Sequence, residues 1–479
     1  MTTTTRQTPT SRLRFGTARA DVTPPVGIYH RMWGAASHDR AAGVHRPLYA
    51  DAIALLPRAG DGPGLLRLLI DLVGLGKNEL DELTRTAAQA SGLPAANVVI
   101  TFSHTHSAGM MTPDRIPLPG GDLIPGYLAE LSAAVGRISR ETVDVVQDAV
   151  ISYAAGRCGM AANRDCWDDE RGIFVCGFNP ATPADDTLLV GRVTDAKGAL
   201  LATLVNYACH PTTLAWENQL ISPDYVGSLR ETVEDQTGAP CLFLQGACGD
   251  LGPVQGFVGD PAAADRNGRE VAYAALSALS SLGPPAADFA YAGPVVSGAT
   301  LGAWAYIPHD YRRRAESSRM NGGGFAVHLP TRARPNPDRL SAEVEEWESR
   351  WEEALKEGRN EEAREARAMA ERSRRWLARL QHIPAGGSAP LHCAVYRLGD
   401  AVWVTCGGEP YSLLQTELRR RFPDETIFVS PLSGDMHVAY LLPRDRYGLG
   451  LYQEEPSILA PGCLEALIDA IAERILAVI

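Results

Sequence analysis

The 479-residue sequence contains no run of about 18 uninterrupted apolar residues, so no stretch reads as a membrane-spanning helix. Tracts of Lys and Arg are missing as well, and the net charge is −12, which argues against nucleic acid or an anionic membrane surface as partner. No Cys-x-x-Cys pair is present. The nine cysteines are scattered, and Cys209, Cys241, Cys393 and Cys406 lie in apolar, strand-like runs, the pattern of reduced core thiols rather than of a structural zinc cluster. Met1 to Arg14 is Thr-rich and polar and lacks the apolar h-region of a signal peptide; it reads as a disordered leader, and the expected location is the cytoplasm. There is no internal repeat. What remains is the composition of a soluble globular chain, 45% apolar and 21% charged.

Within that chain the stretch from Asn97 to Ser107 concentrates the chemistry. Val98, Val99, Ile100 and Thr101 form a β-branched run that reads as a buried strand. His104 and His106 follow it two residues apart, so alternation along an extended chain turns both imidazoles the same way. Such a pair either shares a metal ion or substrate, or merely satisfies buried carbonyls.

The surrounding pattern alternates strands and helices. Strands are predicted at Gly16 to Val22, Asp51 to Leu56, Leu65 to Leu72, Leu188 to Thr194, Leu200 to Ala208, Pro240 to Leu244, Leu391 to Leu398, Ala401 to Thr405 and Ile427 to Ser430. Helices are predicted at Asn78 to Ser91, Gly126 to Val150, Ser228 to Thr237, Tyr411 to Arg421 with Pro410 at its first turn, and Leu464 to Val478. Tyr311 to Pro335, rich in Gly and Arg, reads as a mobile loop. Leu340 to Leu355 and Ala366 to Leu380 keep helical spacing around Gly358, a helical hairpin. Its charges read as a solvated face, with a lid or a subunit contact in a homo-oligomer as alternatives. As a lid, with Arg312, Arg313, Arg314, Arg332 and Arg334 close by, it would favour an anionic, water-soluble substrate. The organisation expected is a leader at 1–14, an α/β core at 15–310, a loop and hairpin at 311–385, and a return to the α/β core at 386–479.

Three of the predicted strands run into a potential metal ligand, at His104, His210 and Glu409. A sheet that gathers two histidines and a glutamate offers the three protein ligands of a catalytic zinc and leaves a position for water or another oxygen. Spacing alone does not decide this, because the three are far apart in sequence.

A series of motifs in order does point further. Asp21-Val-Thr-Pro-Pro25, Gly43-Val-His-Arg-Pro-Leu-Tyr49, Ser103-His-Thr-His-Ser107, Ala162-Asn163-Arg164, Val205-Asn-Tyr-Ala-Cys-His-Pro-Thr212, Leu220-Ile-Ser-Pro-Asp224 and Gly246-Ala-Cys-Gly-Asp250 resemble the neutral ceramidase family of zinc-dependent amidases. Gly408-Glu409-Pro410 and Tyr440 to Tyr452 extend the resemblance towards the C-terminus. It implies a mixed-sheet α/β catalytic domain of the neutral ceramidase type, here with the hairpin inserted. It also implies zinc held by His104, His210 and Glu409 and completed by Tyr440, with His106, Arg164 and Tyr452 lining the site around a scissile amide.

Departures qualify the substrate. Where the family has a serine after the glycine-aspartate pair, this chain has Gly252, and Ala108-Gly-Met-Met111 replaces the glycine-rich continuation of the His-x-His motif. The sequence reads as a short member without the family's extra β-sandwich domain, so a soluble small-molecule amide is expected rather than ceramide. An ester or lactone at the same metal, a homologue that binds without turnover, and phosphoester hydrolysis at a two-metal centre using Asp71, Asp224 and Asp250 are the alternatives.

Overall fold

Along Ala401–Cys406 the side chains divide strictly: Ala401 and Trp403 enter one apolar core, and Val402, Val404 and Cys406 enter another. A strand that is apolar on both faces must be covered on both. The computed structural model, which describes residues 4–58, 62–381, 383, 386–434 and 437–479, meets that demand with four layers.

The inner layers are two mixed sheets. The larger has eight strands, in the order Cys241–Gln245, Leu200–Tyr207, Thr187–Asp195, Gln147–Arg157, Thr10–Asp21, Tyr49–Leu56, Leu65–Ile70 and Val98–Phe102. The smaller has four: Met320–Pro330, Ser388–Leu398, Ala401–Cys406 and Thr426–Val429. Their facing sides share one core, in which Leu13, Phe15, Ile53, Leu204 and Leu242 of the larger sheet meet Tyr396, Trp403 and Phe428 of the smaller. Helices Lys77–Ser91 and Ile124–Asp144 cover one half of the outer face of the large sheet, and Tyr225–Thr237 and Pro261–Ser280 cover the other half. Leu413–Arg421 and Cys463–Val478 cover the outer face of the small one.

Within these two sheets parallel pairing is confined, among the described residues, to three places, and each is a strand–helix–strand crossover: Leu65–Ile70 to Val98–Phe102, Leu200–Tyr207 to Cys241–Gln245, and Ala401–Cys406 to Thr426–Val429. The loops beyond the carboxyl ends of parallel strands are where open α/β sheets bind ligands, and His104, His210 and Glu409 all lie in such loops. One expectation is thereby modified. The ligands do not come from a single sheet, because Glu409 follows a strand of the small sheet and both histidines follow strands of the large one.

The mixed α/β class read from the sequence stands, with local corrections. The leader differs from expectation. Residues 1–3 lie outside the described residues, but Thr5–Arg6 and Thr10–Asp21 are strands, and Thr10, Leu13 and Phe15 are buried. The helix expected to reach Val150 ends at Asp144, and Gln147–Arg157 is a strand in which Val150, Ile151, Ser152 and Tyr153 are all buried. Tyr311 to Pro335 is not a loop: it holds helix Tyr311–Glu316 and strand Met320–Pro330. Glycine disguised that strand, yet it is needed there, because a Cβ on Gly322 would meet the Val395 carbonyl oxygen at 2.1 Å. Pro410 begins no helix; it sits in a two-residue bridge, Glu409–Pro410, paired with Tyr440–Leu441. The helical hairpin is present as Pro337–Lys356 and Asn360–Leu380.

Candidate metal centre

The parallel ladder continues past Phe102, with the Ser103 amide donating to Ile70 O at 3.0 Å and the His104 amide to Leu72 O at 3.0 Å. His104 then takes φ +69°, a left-handed conformation that a non-glycine residue adopts at some cost and that clusters at functional sites. The chain is therefore not extended between His104 and His106, as alternation had required, yet the two rings still converge, with centroids 5.0 Å apart. The His210 ring lies 4.7 Å from that of His104 and 5.4 Å from that of His106. One ligand atom from each of the three histidines lies within 4.8 Å of the others, a grouping able to hold a metal ion. Glu409 joins it: its Oε2 is 3.3 Å from His104 Nε2 and 3.4 Å from His210 Nε2.

The tautomers are fixed from behind. His104 Nδ1 is 2.6 Å from Val73 O and His210 Nδ1 is 3.0 Å from Cys248 O; a carbonyl only accepts, so both Nδ1 atoms carry protons. Burial pushes the His210 imidazole down to about 3, with the Arg164 charge adding to the effect, so the ring is neutral and its Nε2 presents a lone pair. Burial alone would raise the Glu409 carboxyl, but His104 and His210 hold it well below the usual range, so it is ionised. His210 Nε2 thus presents a lone pair to the carboxylate at 3.4 Å. Consistently, His104 Nε2, His106 Nε2 and Glu409 Oε2 are buried without a hydrogen bond.

Acceptors aimed at one another are unfavourable unless a cation lies among them. Ligand atoms about 2.0–2.1 Å from one zinc ion and tetrahedrally arranged are about 3.4 Å apart, the spacing that Glu409 keeps to both histidines. The residues present therefore fit a divalent metal. Imidazole held by a backbone carbonyl through its far nitrogen is also the usual environment of a metal-ligating histidine.

Around this group the other residues read from the sequence assemble. Tyr440 OH is 3.5 Å from His210 Nε2 and 3.1 Å from Arg164 NH2. Arg164 is buried and also donates from Nε and NH2 to Gly249 O at 3.2 and 2.7 Å, so its guanidinium is held rigidly. Half-exposed Tyr452 lies edge-on to Tyr440 at 6.0 Å. His106, Arg164, Tyr440 and Tyr452 line a cavity of about 510 Å³, and Glu409 lines a second, of about 360 Å³.

The carboxylates of the two-metal alternative are spent on structure. Asp71 is ion-paired with Arg230 at 2.5 Å, Asp224 accepts from the amides of Leu214 and Tyr225, and Asp250 accepts from the Ser412 amide and hydroxyl. The arginines expected in a lid are elsewhere too. Arg312 pairs with Glu316, Arg313 with Asp400 and Arg332 with Glu454, and neither these nor Arg314 and Arg334 line either cavity. Besides Arg164, the arginines that line the larger cavity are Arg372, Arg375 and Arg379 of the second hairpin helix, whose face the sequence reading had given to solvent. Their spacing, three and then four residues, is the signal that marks a single helix face. Trp33, whose ring lies 5.3 Å from that of His106, was not read from the sequence either.

No protein-family model matches the chain. The neutral ceramidase of Pseudomonas aeruginosa is 24% identical over 262 residues, which span 50% of this chain and 37% of the length of that protein. The crystal structure of the P. aeruginosa neutral ceramidase superposes on 98% of this chain and 74% of its own, with a TM-score of 0.66 and 16% identity. A ceramidase complexed with C2 gives 0.64 at the same identity, over 98% and 75% of the two chains. The chain is therefore related in sequence to neutral ceramidase over half of its length and carries the neutral ceramidase fold.

Proposed function

We propose that the protein is a zinc-dependent hydrolase that cleaves the amide bond of a small molecule with water. The observation that carries this reading is the pair of Nε2 atoms facing the Glu409 carboxylate, with both Nδ1 protons committed to backbone carbonyls. His104, His210 and Glu409 would hold the ion, with Tyr440 beside them. Zinc bound there supplies Lewis acidity, polarising a carbonyl and acidifying water.

The chain's own residues supply the rest. Arg164, its guanidinium pinned by Gly249 O and Tyr440, offers fixed positive charge towards an oxygen that becomes negative. Tyr440 and Tyr452 present hydroxyls to the same cavity. His106, whose Nε2 has no hydrogen bond, is the group available to move a proton to the departing amine. No side-chain nucleophile is needed. Cys209 is fully buried, burial pushes its thiol far above the thiolate range, and Gly252 carries no hydroxyl. The nine free cysteines suit the reducing cytoplasm. Among the described residues no helix is long and apolar enough to cross a membrane. An ester at the same site is the second reading, since it needs no proton delivered to an amine.

Two measurements test the proposal together: metal analysis of the purified protein, and hydrolysis of N-acyl compounds before and after chelation. About one zinc per chain and chelator-sensitive amine release are expected. Ser107→Ala and Cys209→Ala should retain most of the turnover, because neither is asked to attack carbon. An acyl group trapped covalently on any Ser or Cys would overturn the mechanism.

A further inference from the structure

The second hairpin helix brings three arginines to the larger cavity, and their partners differ. Arg375 is committed: its Nε is 2.8 Å from Glu371 and its NH2 donates to Met32 O at 2.7 Å. Arg372 lies 3.8 Å from Glu455, which also accepts from Trp376 Nε1 at 2.8 Å. Arg379 has no ion pair and no hydrogen bond among the described residues; its guanidinium lies over the Trp376 ring, 5.7 Å from the centroid, and interacts with Glu455 and Glu409 through charge alone. It is half-buried and lines both cavities, the one with His106 and the one with Glu409.

A guanidinium drawn partly out of water without a hydrogen-bonded anion loses hydration that the charges of Glu455 and Glu409, acting without contact, offset only in part, since burial still lowers the Arg379 pKa. Neither glutamate of the larger cavity forms an ion pair with it: Glu371 is held by Arg115 and Arg375, and Glu455 by Arg372 and Trp376. Another part of the same lining is apolar. Trp33, Trp216 and Phe257 pack ring against ring at 5.6 to 6.3 Å, next to His106.

We infer that the substrate is an anionic amphiphile, an N-acyl compound whose carboxylate is bound by Arg379 while its apolar part lies on the Trp33, Trp216 and Phe257 wall. The cleavage chemistry rests on the hydrolase reading; the recognition does not. A planar fork of N–H donors matches a carboxylate in two parallel hydrogen bonds, and a lysine does not reproduce that geometry. The scissile amide lies between the two anchors, beside His106.

Calorimetric titration of the metal-loaded protein with N-decanoylglycine and with its neutral isostere N-decanoylglycinamide tests the anchor directly. Wild type should bind the carboxylate about 10- to 100-fold more tightly than the amide. Arg379→Gln should erase that ratio, and Arg379→Lys should recover part of it. In turnover, the loss in Arg379→Gln should appear mainly in KM for the anionic compound. Equal binding of the two compounds by wild type, or a ratio retained in Arg379→Gln, would overturn the inference. Arg379-dependent binding with hydrolysis of neither compound would leave the anchor standing and remove the amidase reading. Decanoyl phosphate binding as tightly as the carboxylate, with the same dependence on Arg379, would refute a carboxylate-specific fork.

Discussion

His210→Ala and Glu409→Ala are each expected to lower amide hydrolysis by about 10³-fold or more, because Lewis-acid assistance is worth several kcal/mol and each 1.4 kcal/mol is tenfold in rate. The expectation follows from the geometry of acceptors. In His210→Ala one of the two Nε2 atoms facing Glu409 disappears, and in Glu409→Ala the carboxylate beside the three clustered rings disappears. Either change removes a charge or a donor that fixes the ion, and both should lower metal content. Stability supplies an independent readout. A ligand that binds only the folded protein stabilises it by about 4 kcal/mol at a thousandfold excess over its Kd, so chelation should lower the melting temperature of wild type. The same treatment should barely move His210→Ala. A wild-type protein whose melting temperature and turnover both ignore chelators would remove the metal from the mechanism.

The part of this centre legible in the sequence is the part carried by strand ends. His104, His210 and Glu409 announce themselves because an apolar, β-branched run stops at each and a turn follows. The motif series then joins residues that spacing alone leaves unconnected, and the structure draws those residues together. What could not be read is how separate elements approach. That Glu409 arrives from a second sheet depends on packing of Trp403 and Phe428 against Tyr153 and their neighbours, and no local pattern encodes it. Pro261–Ser280 was missed although Asp260 caps it and Pro261 opens it, because its buried face is mostly alanine and gives weak periodicity. The hairpin is legible in the helical spacing of Leu340 to Leu355 and Ala366 to Leu380, yet its arginines resemble solvated charge until the helix is seen lining the cavity. Gly34 permits that approach: a Cβ there would come within 2.8 Å of Ala368 Cβ.

A buried carboxylate is one of the ties that hold the hairpin over the site, and Glu371→Ala is expected to destabilise the protein by about 3–5 kcal/mol, the usual effect of removing one partner of a buried ion pair. Arg115, 1% exposed, donates to Glu371 at 2.7 Å, and Arg375 donates to its other oxygen at 2.8 Å. Without Glu371 the Arg115 guanidinium stays buried with Asp114, at 3.1 Å, as its remaining ion-pair partner among the described residues. The same carboxylate predicts a pH dependence. Burial alone would raise it, but Arg375 and Arg115 outweigh that and bring it down to about 2, below the usual value near 4.5. A group depressed on folding stabilises the folded protein fully above its unfolded pKa and loses that contribution as pH falls through the folded one. Wild type should therefore lose about 3 kcal/mol from this group between roughly pH 4.5 and pH 2, whereas Glu371→Ala should show no such component. Urea unfolding at several pH values measures both, and limited proteolysis reports whether Pro337–Lys356 and Asn360–Leu380 come loose first. A loss below about 1 kcal/mol in Glu371→Ala at neutral pH, with the hairpin still protected, would show that the Arg115–Glu371–Arg375 group does not hold the helix in place.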